Sequence, residues 1–174
     1  MTATGLSLLC MLAMMAPEGA KWDWRAHPLA TEVTVIDHHK RDLVEFDEVR
    51  HDLLAEKKGG TGLDGDKPWK DKKRTLEQAR TQFLDELFDQ VKAGLLGLHG
   101  KDADATYRKH EPKGTKTPVP SVADLRLIKH FQIILETKAE WARHGVAAVV
   151  ARLRKDPDLR HLGFTFHEPK FGEK

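Results

Sequence analysis

The residues of this chain with the clearest chemical potential are Asp37, His38 and His39, which follow a short β-branched run. That run, at 32–36, is predicted to be a strand or an extended connector, so these side chains would stand at a strand end. A carboxylate and an imidazole in such a position can hold Mn²⁺ or Mg²⁺ beside a phosphate group. The pattern therefore indicates a candidate divalent-metal site at the end of this run.

The segment Val35-Ile36-Asp37-His38-His39-Lys40 resembles the strand-then-DHH motif of the DHH phosphoesterase family. The resemblance implies that Asp37 and a histidine bind a divalent metal for hydrolysis of phosphoanhydride or phosphodiester bonds. It covers about six residues of 174. The family also carries aspartate motifs on earlier strands of a Rossmann-like domain. Here the only acidic residues before Asp37 are Glu18, Asp23 and Glu32, with no Asp-x-Asp strand end among them.

A structural interpretation of the same residues makes Asp37 the N-cap of a helix over 38–58. Most positions of this helix would be charged and solvated, and His38 and His39 would lie in its first turn. Its apolar face would be formed by Leu43, Phe46, Leu53 and Leu54. We favour this interpretation, which gives Asp37 a stabilising role and no catalytic one.

The remaining histidines and the single cysteine form no catalytic or zinc-binding pattern. The side chains considered are the His51-Asp52 pair, the loop residues His99, Tyr107 and His110, the helix residues His130 and His144, and Cys10 in an apolar run. The sequence therefore predicts no catalytic, cofactor-binding or metal-binding residues, no cofactor, and a protein that is not an enzyme.

Helical patterns dominate the rest of the chain. The predicted helices cover 38–58, 75–93 and 121–156, with at most a minor strand at 32–36. A capping box, Thr75 to Gln78, begins the second helix, and Ser121 after Pro120 begins the third. The third helix carries apolar side chains at three- and four-residue steps: Ile128, Leu135, Ala139, Ala142, Val146, Val149 and Leu153. The predicted fold class is mainly α, a helical hairpin or bundle with one long C-terminal helix, an extended N-terminal segment and a tail.

The predicted domain organisation has two parts. Residues 1–31 form an apolar N-terminal anchor and a Trp-containing connector. Residues 32–174 form a helical domain with a long loop at 99–120 and a docking tail at 157–174. The apolar run Leu6–Met15 lacks the basic n-region of a signal peptide and is shorter than the ~20 residues of a spanning helix.

The amino-acid composition argues against several classes of protein. Lys and Arg number 29 against 27 Asp and Glu, so the net charge is only +2, which argues against a dedicated nucleic-acid binder. One cysteine excludes an intrachain disulfide framework. A basic cluster surrounds Trp69 and either contacts phosphate or RNA or forms a solvated linker: Lys67, Lys70, Lys72, Lys73 and Arg74.

The sequence favours a non-catalytic structural or accessory subunit of a large multi-subunit, membrane-associated assembly, for example a mitochondrial ATP synthase or respiratory complex. Its partners would be other protein subunits, bound through the 121–156 helix and the 157–174 tail. Membrane or lipid contact is expected at 1–25, nucleic-acid contact is not expected, and the expected location is the mitochondrial membrane or otherwise the cell interior. The alternatives are a DHH-type metal-dependent phosphoesterase relative and an RNA-contacting ribosomal assembly protein.

Overall fold

The chain forms a mixed α/β fold, so the prediction of a mainly α, helical protein is wrong. The computed structural model describes residues 22–59, 75–101, 103–107 and 119–168. The elements in these ranges are, in chain order, β1 (Leu29–Ile36), β2 (Asp42–Arg50), β3 (Leu53–Gly59), α1 (Leu76–Leu98), β4 (Asp104–Tyr107), α2 (Val122–Leu127), β5 (His130–Glu136), α3 (Glu140–Lys155) and β6 (Gly163–His167). A short 3₁₀ turn, Pro157–Leu159, joins α3 to β6.

The six strands form one sheet in the order β4-β1-β2-β3-β5-β6. The pairs β4–β1, β1–β2 and β2–β3 are antiparallel, whereas β3, β5 and β6 run parallel to one another. Parallel neighbours need crossover connections, and α1 and α3 lie in the two crossovers. The two helices pack together, with the rings of Phe83 and Trp141 6.0 Å apart. The end of α1 also contacts β2, where a Cβ on Gly94 would lie 2.6 Å from the Cβ of Val44.

The predicted helix at 38–58 is instead the hairpin of β2 and β3. One feature of this stretch imitates helical spacing, and the neighbouring strand β1 shows it too. Phe46 and Val49 are both fully buried although they lie three residues apart, and Ala30 and Val33 repeat this spacing on β1. Between them Glu32 has a positive φ of 53°. Ala30 pairs with Val49 and Val33 pairs with Phe46, so the three-residue steps of β1 and β2 lie opposite each other on the two strands.

The predicted helix at 121–156 is divided into α2, β5 and α3. Of the apolar positions that predicted its stripe, Ala139 is half-buried and the others are buried, but they do not share one helix: Ile128 follows α2, Leu135 lies on β5, and Ala142, Val146, Val149 and Leu153 lie on α3. Within β5, Phe131, Ile133 and Leu135 are buried in strict alternation with half-buried positions, which is the period of a strand. Neither proline nor glycine marks the two breaks.

The tail and the long loop also contain strands. β6 lies in the tail at 157–174, and its Phe164 is buried against β5, with 6.1 Å between the rings of Phe164 and Phe131. β4 lies in the loop at 99–120 and pairs with β1. β1 itself begins at Leu29, inside the predicted 1–31 segment. The apolar run Leu6–Met15 lies outside the described residues. Among the helices of the described ranges, none has the length and apolar character needed to span a bilayer.

The helix predicted at 75–93 is confirmed as α1 and continues to Leu98. Thr75 caps it in the expected way, since its side chain accepts from the Gln78 N–H and the Gln78 side chain accepts from the Thr75 N–H. Ser121 and Asp124 form a second capping box at the start of α2. The residue types that form the capping hydrogen bonds therefore predicted both helix starts correctly.

The sheet requires a glycine where β3 ends. A Cβ placed on Gly59 would lie 2.7 Å from the Cβ of Glu136, its register partner on β5. The two parallel strands thus approach closely at their carboxyl ends, immediately after Lys58.

Replacing Val146 with aspartate should unfold the isolated chain, because Val146 is fully buried on the side of α3 that faces the rest of the chain. Burying an unpaired carboxylate there should lower the free energy of unfolding by more than about 3 kcal/mol, as measured by urea denaturation. Ala148→Asp, at an exposed position of the same helix, is the matched control and should change stability by less than about 1 kcal/mol. Equal effects of both changes would contradict this packing of α3.

Candidate functional site

Asp37 does not cap a helix; it organises the turn between β1 and β2. Its carboxylate accepts hydrogen bonds from the main-chain N–H groups of His39 and Arg41, at 2.8 and 2.9 Å, and from the Arg41 guanidinium at 2.8 Å. The rings of His38 and His39 lie against each other, with their centroids 3.8 Å apart and their planes tilted by 45°. The carboxylate oxygens are thus occupied by donors of the turn, which accounts for the burial of Asp37 without a metal ion.

These donors lower the pKa of Asp37 from 3.8 to about 2, chiefly through the Arg41 N–H, with further contributions from the Arg41 side chain and the His39 N–H. A depressed carboxyl pKa stabilises the folded state above the unfolded pKa, and this stabilisation is lost as the pH falls toward the folded value.

We therefore expect Asp37→Asn to lower the urea midpoint at pH 6, since an amide cannot accept from all the donors of this turn. The difference from the wild-type chain should shrink as the pH falls from about 4 to about 2, where the wild-type carboxyl is itself protonated. Asp52→Asn, at a side chain that is 75% exposed, provides the control and should match the wild type at every pH. A difference that stays constant with pH would contradict the proposed role of the Asp37 charge.

The other side chains considered from the sequence are dispersed. His51 and Asp52 form an exposed pair, 3.6 Å apart, in the turn between β2 and β3. His130 accepts from or donates to the Thr165 hydroxyl at 2.8 Å, and His144 is exposed on α3. His99 lies beside His161, whereas Tyr107 is described only as part of the β4 backbone. Cys10, His110 and the basic cluster from Lys67 to Arg74 lie outside the described residues.

Two contacts in the hairpin of β2 and β3 involve three other charged residues, Asp47 on β2 and Glu56 and Lys58 on β3. Regular pairing of the two strands runs from Arg50↔Leu53 to Glu48↔Ala55. Beyond it, a carboxylate oxygen of Asp47 accepts the main-chain N–H of Lys57 at 2.6 Å, in place of a backbone carbonyl. This contact places the Asp47 carboxylate directly beside the residue between Glu56 and Lys58.

Glu56 and Lys58 share one face of β3, because strand residues two apart point the same way. Their carboxylate and ammonium groups form an ion pair, and both side chains are largely buried, with 16% and 23% of their surfaces exposed. Their register partners on β5 are the fully buried Ile133 and Leu135. A carboxylate held this close to the core must be paired with a cation, and Lys58 meets this requirement.

A strained backbone lies opposite the Asp47 carboxylate. The pairs Thr31↔Glu48 and Val33↔Phe46 flank Glu32 and Asp47, which therefore face each other across β1 and β2. Glu32 has a φ of 53°, in the left-handed region that non-glycine residues rarely occupy. Such strain concentrates at functional positions, and here it marks the point where Asp47 leaves regular pairing.

A second set of charged side chains forms ion pairs on the other face of the hairpin. The Glu48 carboxylate binds the Lys57 ammonium at 3.0 Å across the strands and the Arg50 guanidinium at 3.0 Å along its own strand. The Lys57 hydrogen bond, followed by that of Arg50, lowers the pKa of Glu48, and the same Glu48 contact raises the pKa of Lys57. Lys57 is thereby directed away from the Glu56 and Lys58 face, which leaves Lys58 as the cation of that face.

This arrangement has the residue types of a small metal site. Two carboxylates can bind Mg²⁺ or Mn²⁺ when waters and substrate phosphate oxygens supply the remaining ligands. Within the described ranges no group of three or more His, Cys, Asp or Glu side chains could hold a metal by itself. The position agrees with α/β sheets generally, which bind ligands at the carboxyl ends of parallel strands. β3 is such a strand, and Glu56 and Lys58 lie in its carboxyl-terminal half.

Sequence reasoning missed this group because it assigned 38–58 to a helix. On a helix, Glu56 and Lys58 lie on different sides and Asp47 lies more than two turns away. The available signal was Glu-x-Lys at the end of a strand, directly before glycine, with an aspartate on the preceding strand. That signal has meaning only after the hairpin has been recognised.

Comparison with known proteins identifies no relative. No protein-family model matches the chain, and neither a curated protein nor a solved structure is significantly similar to it.

Proposed function

We propose that this protein hydrolyses phosphodiester bonds of nucleic acid, with a divalent cation held by Asp47 and Glu56 and with Lys58 as the catalytic cation. The observation that carries the proposal is the placement of these residues on neighbouring strands: Asp47 accepts the main-chain N–H of Lys57, and the residues on either side of Lys57, Glu56 and Lys58, form an ion pair. The proposal departs from the expectation of a non-enzyme that makes no nucleic-acid contact, which was based on the net charge and on the absence of a catalytic pattern.

Each side chain has a distinct role in this reaction. Asp47 and Glu56 would hold the cation, which supplies neutralisation of phosphate charge and polarisation of an oxygen ligand. Lys58, in contact with Glu56, can hold the attacking water or stabilise the negative charge that develops on the phosphate. The water oxygen bonds to phosphorus and releases a proton to solvent, the ester P–O bond breaks, and the leaving oxygen takes up a proton from solvent.

Accessibility favours a polymeric substrate. The contact between the Asp47 carboxylate and the Lys57 main-chain N–H is exposed. An exposed contact on the hairpin can be reached by an extended chain of phosphodiesters, whereas a small phosphate ester is usually enclosed by a pocket. A net charge of +2 does not oppose this, because hydrolysis requires only local contacts with a few phosphates.

The proposal is tested by incubating the purified chain with supercoiled plasmid, a single-stranded DNA oligonucleotide and total RNA, each with Mg²⁺, with Mn²⁺ or with EDTA. Asp47→Asn and Glu56→Gln should each lower the metal-dependent rate at least about 100-fold, since a bound cation contributes several kcal/mol to the transition state. Lys58→Ala should lower it by a similar factor.

Two control variants make this test specific. Asp52→Asn lies in the same hairpin, outside the proposed site, and should keep the wild-type rate. Asp37→Asn should also keep that rate at pH 7, whereas the DHH-type alternative requires its loss. The absence of metal-dependent cleavage of all three substrates by the folded wild-type chain would refute the proposed function.

The accessory-subunit hypothesis stays a prediction, but it loses its main support. It depended on an overlong helix whose apolar stripe needed a partner, and Val146, Val149 and Leu153 are instead buried within this chain. A large exposed apolar side chain remains at Leu127, which is 67% exposed. Single exposed leucines are common on soluble proteins and do not define an interface.

A further inference from the structure

A second pair of side chains lies close together far from β3 in the sequence. The Nε2 atoms of His99 and His161 are 3.4 Å apart, and their ring planes are nearly perpendicular, at 80°. His99 directly follows α1, and His161 lies in the turn between the 3₁₀ segment and β6. Sixty-two positions separate them along the chain, so the tertiary fold brings the two rings together.

We propose that His99 and His161 bind one divalent transition-metal ion of the zinc class. Zinc binds imidazole nitrogen at about 2.0–2.1 Å in tetrahedral geometry, which places two nitrogen ligands about 3.3–3.4 Å apart. The observed separation of 3.4 Å agrees with that value. It is longer than the usual 2.7–3.2 Å range of hydrogen bonds from N–H donors, so a direct bond between the rings explains it less well.

The backbone on both sides of this pair is held in place. The His99 N–H donates to the Leu96 carbonyl at 3.1 Å, next to the buried Leu98. The Leu162 N–H donates to the Leu159 carbonyl at 2.9 Å, and Leu159 is buried as well. Binding would therefore not require the chain to reorganise, and the ion would join the end of α1 to the turn before β6.

The electrostatic surroundings of His99 and His161 have two opposite effects on metal binding. Partial removal of His99 from water, followed by the charges of His161, Lys129 and Arg126, lowers the pKa of His99 and favours the neutral imidazole that binds metal. The same two cations repel a metal ion. The Arg126 guanidinium donates to the Leu98 and Gly100 carbonyls, at 2.8 and 2.6 Å. The Lys129 ammonium donates to the Arg126 carbonyl at 2.7 Å.

This balance defines the affinity that we expect. Among the described residues no third His, Cys, Asp or Glu joins the pair, so waters would complete the coordination. Two imidazoles without an anionic ligand should give modest affinity, and removal of the exposed Lys129 charge should increase it.

The experiment measures zinc binding by titration calorimetry on the full chain carrying Asp47→Asn and Glu56→Gln, so that the carboxylates proposed above do not contribute. In this background His99→Gln and His161→Gln should each weaken zinc binding at least about tenfold. His144→Gln, at an exposed histidine of α3, should leave it unchanged, and Lys129→Gln should strengthen it.

All three histidines are exposed, so the variants should fold, and unfolding temperatures in EDTA verify this. Zinc that binds equally to the parent and to the His99 and His161 variants is bound elsewhere, and this result would overturn the proposal, as would the absence of any zinc binding. Neither result affects the hydrolysis proposal, which is measured with Asp47 and Glu56 intact.

Discussion

The fold depends on the hydrogen-bonded pairing of β3 with neighbours that run in opposite directions. On one side β3 pairs with β2, a short turn away in the sequence, and on the other it pairs with β5, which runs parallel to it. A parallel neighbour can be reached only through a crossover, so α1 must return along the sheet before β5 begins. β3 therefore joins an antiparallel half of the sheet to a parallel half.

The same position of β3 brings the charged residues together. From β2 comes Asp47, at the point where regular pairing stops, and from β3 come Glu56 and Lys58, near a carboxyl end flanked by a parallel strand. All three residues lie on the hairpin of β2 and β3, and the parallel neighbour β5 places the buried Ile133 and Leu135 beside Glu56 and Lys58. The proposed chemistry thus follows from the topology as well as from the residue types.

Sequence reasoning succeeded where the determinants were local. Thr75 with Gln78 and Ser121 with Asp124 form the capping boxes expected from residue type and spacing. It failed for the two longest predicted helices, where strand residues imitate helical steps. Buried residues of β1 and β2 lie three positions apart beside the left-handed Glu32, and Leu135 on β5 and Ala142 on α3 have helical spacing although they belong to separate elements. Only long-range pairing distinguishes these cases, because intrinsic propensity is overridden by tertiary context.

The close contact between Gly59 and Glu136 also affects how this protein can vary over evolutionary time. A methyl group on residue 59 would separate β3 from β5 at the end of the strand that carries Glu56 and Lys58. In a lineage that keeps this sheet, the residues of the exposed β2–β3 turn can be substituted freely, whereas Gly59 cannot. Gly59 should therefore persist beside the charged pair even in descendants that lack the proposed activity, because it preserves the strand spacing and not the chemistry.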